Sequence, residues 1–234
     1  MTRKFVWVTG ASSGIGKSLV KEFISAGFNV FATARRMKLL NVLKSECDSD
    51  KLLTFQCDIA KKSEIQDAII FLRENTGVVE CLVNNAGITS FSSAEKDELS
   101  VIENIIETNL LGAIYAIKAV LPDMIINKQG WIISILSVVA QKVFANSSAY
   151  SASKLGLLGY TNSMREEVRQ HNIRVTNVLP GATITPIWSK STIDKNASRM
   201  MKSTDLAKLI VQLYSSANSV VPEEITMRPV LGDL

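Results

Sequence analysis

The sequence predicts a doubly wound α/β fold, a parallel sheet of about seven strands with helices on both faces. Strand-length apolar runs alternate with helical patterns along the chain, joined by short links. That alternation builds a parallel sheet covered on both sides, and right-handed crossovers make it doubly wound. A glycine-rich turn, Thr9-Gly10-Ala11-Ser12-Ser13-Gly14-Ile15-Gly16, links the first strand to the first helix. No Pro/Ser-rich linker or repeat divides the 234 residues, so residues 1–234 are expected to form one domain.

Each element has its own warrant. Residues 5–8 are an apolar strand closed by Thr9-Gly10. Residues 14–26 place Ile15, Leu19, Phe23 and Ile24 on one helical face. Strand 29–33, the polar helix 37–46, strand 52–56 and helix 61–74 follow. Strand 80–83 is closed by Asn84-Asn85-Ala86-Gly87, and 100–127 is a long helical region. Strand 131–136, helix 149–170, strand 173–178, helix 204–216 and a last strand at 224–227 complete the pattern. From Leu110 to Ile126 apolar residues occur nearly all round. Such a helix must be covered on more than one side, within the monomer or against a second subunit.

Composition narrows the function. Lys plus Arg number 26 and Asp plus Glu 22, a net charge of +4, too mild to indicate nucleic acid. The three cysteines, Cys47, Cys57 and Cys81, have no CxxC or CxxH spacing, which excludes a zinc site. Their scatter fits buried thiols in a reducing compartment. His171, the single histidine, sits at a helix end, where a cation favours the dipole. No signal segment opens the chain, and no uncharged apolar run reaches the roughly 18 residues of a spanning helix. A cytoplasmic protein without membrane, metal or nucleic-acid partners is expected.

The glycines of the first turn carry the first chemistry. Gly10, Gly14 and Gly16 let the chain turn tightly and approach a pyrophosphate. The helix start offers unpaired N–H groups and a positive dipole end, and Ser12 and Ser13 add hydroxyl donors. A P-loop does not fit, because its frame ending at Lys17 needs glycine where Ala11 stands. A dinucleotide fold places an acid about 20 residues beyond the glycines to hold the ribose 2′-OH. Here Phe23 to Ser45 holds no acid, and Ala34-Arg35-Arg36 ends the second strand. Guanidinium pairs with a 2′-phosphate where carboxylate repels it, so NADP(H) is expected. Asp58, past the third strand, is a partner for the adenine amino group or a helix N-cap.

Tyr150 and Lys154 lie four apart at the start of a helix, on one face. A tyrosine near pKa ~10 is a poor acid-base group at neutral pH, and an adjacent ammonium lowers it. Ser137 follows the fifth strand. Strand C-terminal ends line the ligand crevice of such sheets, which brings Ser137 and the Tyr150 helix together.

These motifs together resemble the short-chain dehydrogenase/reductase family over essentially the whole chain. The matching elements are Gly10-x3-Gly14-x-Gly16, Asp58, Asn84 to Gly87, Asn109, Ser137, Tyr150-x3-Lys154 and Pro180-Gly181. The resemblance implies a Rossmann-type fold and an enzyme reducing a small-molecule carbonyl. Tyr150 is then the general acid, Lys154 lowers its pKa and holds the nicotinamide ribose, and Ser137 polarises the carbonyl. Asn109 anchors a water of the proton relay. Ile15, Ile59, Asn85, Ala86 and Gly87 line the cofactor side, and Pro180, Gly181, Thr183 and Thr185 pass the nicotinamide. A homodimer or homotetramer is also implied.

Two segments, 180–188 and 223–234, resemble the bacterial sepiapterin-reductase-like branch. Trp188 then offers a flat face to a planar ligand, or packs the lid helix. The lid, residues 183–203, is short, so a small substrate is expected, with Val143, Phe144 and Met200 as walls. The 223–234 pattern equally fits subunit contacts. The alternative substrate is a 3-oxoacyl thioester, for which Lys190, Lys195, Arg199 and Lys202 supply a basic rim. A cofactor-sensing protein without catalysis is the competing class, and the presence of Ser137, Tyr150 and Lys154 speaks against it.

Overall fold

The computed structural model describes residues 2–216 and 219–234. Seven parallel strands form its main sheet: β1 (Arg3–Thr9), β2 (Asn29–Ala34), β3 (Leu52–Gln56), β4 (Gly77–Asn84), β5 (Gly130–Ile135), β6 (Ile173–Pro180) and, at the edge, β9 (Glu224–Met227). Their order is β3-β2-β1-β4-β5-β6-β9. Two further short strands, β7 (Thr183–Ile184) and β8 (Met201–Lys202), pair with each other in the lid. The chain runs outward from β1 through β2 to β3, then returns to β4 on the other side of β1. That reversal opens a crevice at the C-terminal ends of β1 and β4, where such sheets bind ligands.

Both faces are buried, as a parallel sheet requires. On β1, Val6 and Val8 face one cluster while Phe5 and Trp7 face the other, the period-two alternation of a strand. The first cluster is covered by α1 (Gly14–Ser25), α2 (Met37–Cys47) and α8 (Ser203–Ser216), through Leu19, Phe23, Leu40 and Ile210. The second is covered by α3 (Lys62–Glu74), α5 (Gly112–Asn127) and α6 (Ser148–Val168), through Leu72, Ile117, Val120 and Met164. Two buried indoles keep their N–H groups satisfied. Trp7 donates to Thr33 Oγ1 and Trp131 to Thr176 Oγ1, each at 2.9 Å, which accounts for threonine in these core strands.

The long helical region is one run, α4 (Leu99–Ile106), a π turn (Glu107–Leu111) and α5. By length and composition Leu99–Asn127 is apolar enough to cross a membrane. Ile105, Ala116, Ile117, Val120 and Met124 are buried in the protein, and Lys118 and Asp123 interrupt the apolar sequence; it is a core helix. Leu110 and Leu121 pack against core clusters, whereas Leu111 and Ile114 stay half-buried and join none of them.

The start of α5 closes on the loop that carries Asp58. A Cβ on Gly112 would fall 2.9 Å from both Ile59 O and Ile59 Cγ2. Gly112→Val is therefore expected to cost about 1–3 kcal/mol through overpacking. Thermal melts check this, and an unchanged Tm would show that the approach is loose.

Candidate active site

The crevice at the strand ends is a cleft of about 700 Å³. Its floor is the glycine turn. Gly10 and Gly14 have φ of +65° and +56°, the left-handed region that side chains disfavour. A Cβ on Gly10 would also lie 2.7 Å from Ala86 Cα. Gly16 does not line the cleft; its Cβ would sit 2.5 Å from Gly10 O, so it serves close packing of turn and helix. Ser13, the N-cap of α1, makes no side-chain cap bond, and no acid sits in the first turn. The N-terminus of α1 is therefore free to receive an anion.

Arg36 points into this corner, its Nη2 donating to Ser12 Oγ and Ser13 Oγ at 2.9 Å each. Arg35, Ile15 and Ile59 line the same end. Asp58 lines it too and accepts from Ala60 N at 3.2 Å. The N-cap of α3 is Lys61, so Asp58 shapes a turn and does not cap that helix. Asn85 ties the two sides of the crevice. Its amide donates to Thr9 O at 2.9 Å, and Asn85 N and Ala86 N both donate to Thr9 Oγ1 at 3.1 Å. Gly87 lines the cleft, whereas Asn84 lies buried below it.

The first turns of α6 bring Tyr150 and Lys154 to the opposite wall, beside Ser137. Ser137 ends the β5 segment and its Oγ accepts from Val139 N at 3.3 Å. Burial pushes Tyr150 up to about 12, and a hydrogen bond with Ser137 acts against that rise. The tyrosine is half-buried, with part of its surface on the open cleft. Lys154 is buried, and desolvation draws it down to about 8. Its Nζ donates to Ile135 O at 2.9 Å and lies 5.7 Å from the Tyr150 ring centre.

Asn109 stands in the π turn, a distortion often found at functional sites. Its Oδ1 accepts from Ile88 N at 2.8 Å, and its Nδ2 donates to Ile88 O at 2.9 Å and Ser153 Oγ at 3.0 Å. The side chain thus fixes the loop after Gly87 and does not line the cleft.

The lid begins at Pro180-Gly181, where Gly181 N donates to Met227 O at 2.7 Å. Thr183 is buried, its hydroxyl bonded to Gly181 O at 3.0 Å, and Thr185 lies on Gly14. Phe144 lines the cleft. Val143 and Met200 do not: Val143 is 92% exposed, and Met200 is only 7% exposed beneath the lid. A short loop alternates outward and inward residues, and the sequence does not mark which is which.

Among the cleft residues that escaped the sequence reading, Phe91 and Asp233 carry side-chain contacts across it. Phe91 stacks on Trp188, ring centres 4.8 Å apart and planes 14° from parallel. Its only signal was one aromatic in the Ser90-Phe91-Ser92-Ser93 loop. Asp233 lines the cleft and is held by Lys142 Nζ at 3.1 Å and by Arg228, while Arg199 donates to its main-chain oxygen at 3.0 Å.

This fold and site define a nucleotide-dependent oxidoreductase. A family model for short chain dehydrogenase matches residues 4–196, and the chain belongs to that family. It is 33% identical to sepiapterin reductase of Chlorobaculum tepidum, over 97% of this chain and 96% of that one. Farnesol dehydrogenase of Aedes aegypti is 31% identical, with 97% and 96% covered. Among solved structures, the closed form of serine dehydrogenase complexed with NADP+ superposes with a TM-score of 0.92 at 28% identity, covering 98% and 96%. A metagenomic short-chain oxidoreductase in complex with NADP gives 0.84 at 29% identity, covering 97% of each chain.

The Lys154 shift has a measurable consequence. An unfolded lysine titrates near 10.4, the folded one at about 8. Between those values the unfolded chain holds more protons, so stability rises with pH. Lys154→Met removes that slope. Urea denaturation should show the wild type gaining up to about 2 kcal/mol on the variant between pH 8 and 9.5. Parallel curves would mean that the ammonium is solvated.

Proposed function

We propose that this enzyme uses NADPH to reduce the carbonyl of a small planar heterocyclic ketone, sepiapterin or a close analogue. The Phe91–Trp188 stack beside Ser137, Tyr150 and Lys154 carries this reading. The two rings come from opposite walls of the cleft, the loop after β4 and the lid. Separated to about 7 Å between planes, they accept a planar ring with a stacking partner on each face. Asp233 adds a carboxylate for ring N–H groups.

The residues fit the cofactor. A Cβ on Gly10 would strike Ala86, leaving backbone alone where a pyrophosphate needs close approach. Ser12, Ser13 and Arg36 converge without a carboxylate between them, which suits a 2′-phosphate. Bound NADPH supplies the hydride. Ser137 and Tyr150 donate hydrogen bonds to the carbonyl oxygen. Tyr150 gives its proton as the alkoxide forms, and Lys154 and Ser137 stabilise the phenolate left behind. Lys154 also holds the ribose, and Asn109, its side chain engaged by Ile88 and Ser153, is left its main-chain oxygen to anchor the relay water.

One domain with residues 183–203 as its lid is the organisation this reading assumes. The half-buried Leu111 and Ile114, which join no core cluster, fit a second copy, hence a homo-oligomer. A thioester reductase is less favoured, because Arg199 of its basic rim is engaged by Asp233.

NADPH oxidation with sepiapterin beside a small aliphatic dicarbonyl tests this. Tyr150→Phe should lower kcat by about 10²–10⁴ on either substrate. Phe91→Ala and Trp188→Ala should each raise KM for sepiapterin about tenfold and leave the dicarbonyl nearly unaffected. Equal effects on both substrates, or no sepiapterin turnover, would refute the planar-substrate reading. Arg36→Ala should weaken NADPH about tenfold or more and NADH little; equal loss for both would remove the 2′-phosphate assignment.

A further inference from the structure

Three polar atoms buried under the cleft lack a partner. Asn84 and Ser134 are 4% and 0% exposed. Asn84 Oδ1, Asn84 Nδ2 and Ser134 Oγ make no hydrogen bond among the described residues. The two residues are register neighbours, Asn84 at the end of β4 and Ser134 on β5. Leu82 and Ile132, two positions earlier, pack in the cluster under α5 and α6, so Asn84 and Ser134 face that side as well.

The polar row continues to Asn177, the register partner of Ser134 on β6. That end is satisfied: Thr161 Oγ1 donates to Asn177 Oδ1, and Asn177 Nδ2 donates to Asn162 Oδ1, both at 2.9 Å. The β4–β5 end lies next to Lys154. Ile135, directly after Ser134, provides the carbonyl that holds Nζ at 2.9 Å. Gly87, three residues beyond Asn84, has its Cβ position 3.6 Å from the same Nζ. Tyr150 faces the ammonium from its own helix, and the groups around it from β5, the segment after β4 and the π turn, Ile135 O, Gly87 and Asn109, are uncharged.

Buried polar groups are satisfied almost without exception, by protein or by ordered water, and an internal water makes about three bonds. We propose that Asn84 and Ser134 hold a buried water beneath Lys154, and that the pair are positioning residues for its ammonium. The water takes one bond from or to each side chain and offers its third to Nζ, which supports the charged form. The kinetic part of this rests on the role given to Lys154 under the proposed function. The structural part does not.

Ser134→Ala separates the outcomes. An unsatisfied hydroxyl is a burden, so removing it would raise or hold the melting temperature. A hydroxyl that binds the water is an anchor, and its loss should lower Tm of the cofactor-free protein by about 2–4 °C. The alkaline limb of kcat/KM for reduction should also move down by about half a pH unit, since the ammonium has lost support. Ser134→Thr, which keeps the hydroxyl, should keep the wild-type limb. A high-resolution crystal structure should show water between Ser134 Oγ and Asn84. An unchanged or raised Tm, an unmoved limb, or a direct Asn84–Ser134 bond in the crystal overturns the proposal. Tm and the crystal need no turnover, so failure here is distinct from failure of the carbonyl-reductase reading, which wild-type and Tyr150→Phe rates decide.

Discussion

The seam between β1 and β4 supports everything built above it. Sheet order reverses there, and the reversal leaves two strand ends with no connecting loop across them. Asn85 closes that gap by bonding Thr9 O with its side chain, while its backbone and that of Ala86 take the Thr9 hydroxyl. Gly10 then passes against Ala86 at a separation that admits no side chain. One asparagine and one threonine thus fix the distance between the glycine turn and the strand leading to Gly87. The corner that holds Arg36 and the wall that holds Lys154 inherit their separation from that clamp.

Burial sets the chemistry of the opposite wall. Taking Tyr150 and Lys154 out of water disfavours the charge on each, so one rises and the other falls. From ordinary values that nearly coincide, the two move apart to about 12 and about 8. Each group is pushed toward its neutral form, and at Tyr150 the hydrogen bond with Ser137 opposes that push. The arrangement costs folding stability, which is why its supports are main-chain groups and buried amides on rigid elements: Ile135 O for Lys154, and the Asn109–Ile88 pair beneath Gly87.

The cofactor side was legible because backbone geometry dictates its residues. Gly10 and Gly14 take positive φ at tight approaches, a Cβ on Gly10 striking Ala86, and arginines rather than an acid follow β2, so Gly10, Gly14 and Arg36 stand out at fixed distances from a strand. Tyr150 and Lys154 were legible for a similar reason, a helical spacing behind a strand end. Strand limits were less so: β4 begins at Gly77, three residues before the expected start, because Thr76 takes a left-handed turn that the sequence does not advertise. Phe91, Asp233, Val143 and Met200 were illegible. Their facing depends on how four segments between the regular elements meet, and no local period records that.

Three of those segments meet at one carboxylate. Asp233 gathers Lys142 from the segment after Ser137, Arg228 from the stretch after β9, and Arg199 from the lid. The lid in turn rests Thr185 on Gly14 and Trp188 on Phe91. The substrate half of the cleft is therefore joined by side chains of loops, whereas the cofactor half is joined at the strand ends, through Thr9, Asn85 and the Gly10–Ala86 approach. Side-chain clamps change with single substitutions and leave the sheet untouched. That division sets a half of the cleft built on the sheet against a loop-borne half that carries Phe91, Trp188 and Asp233, of which the sequence marked only Trp188.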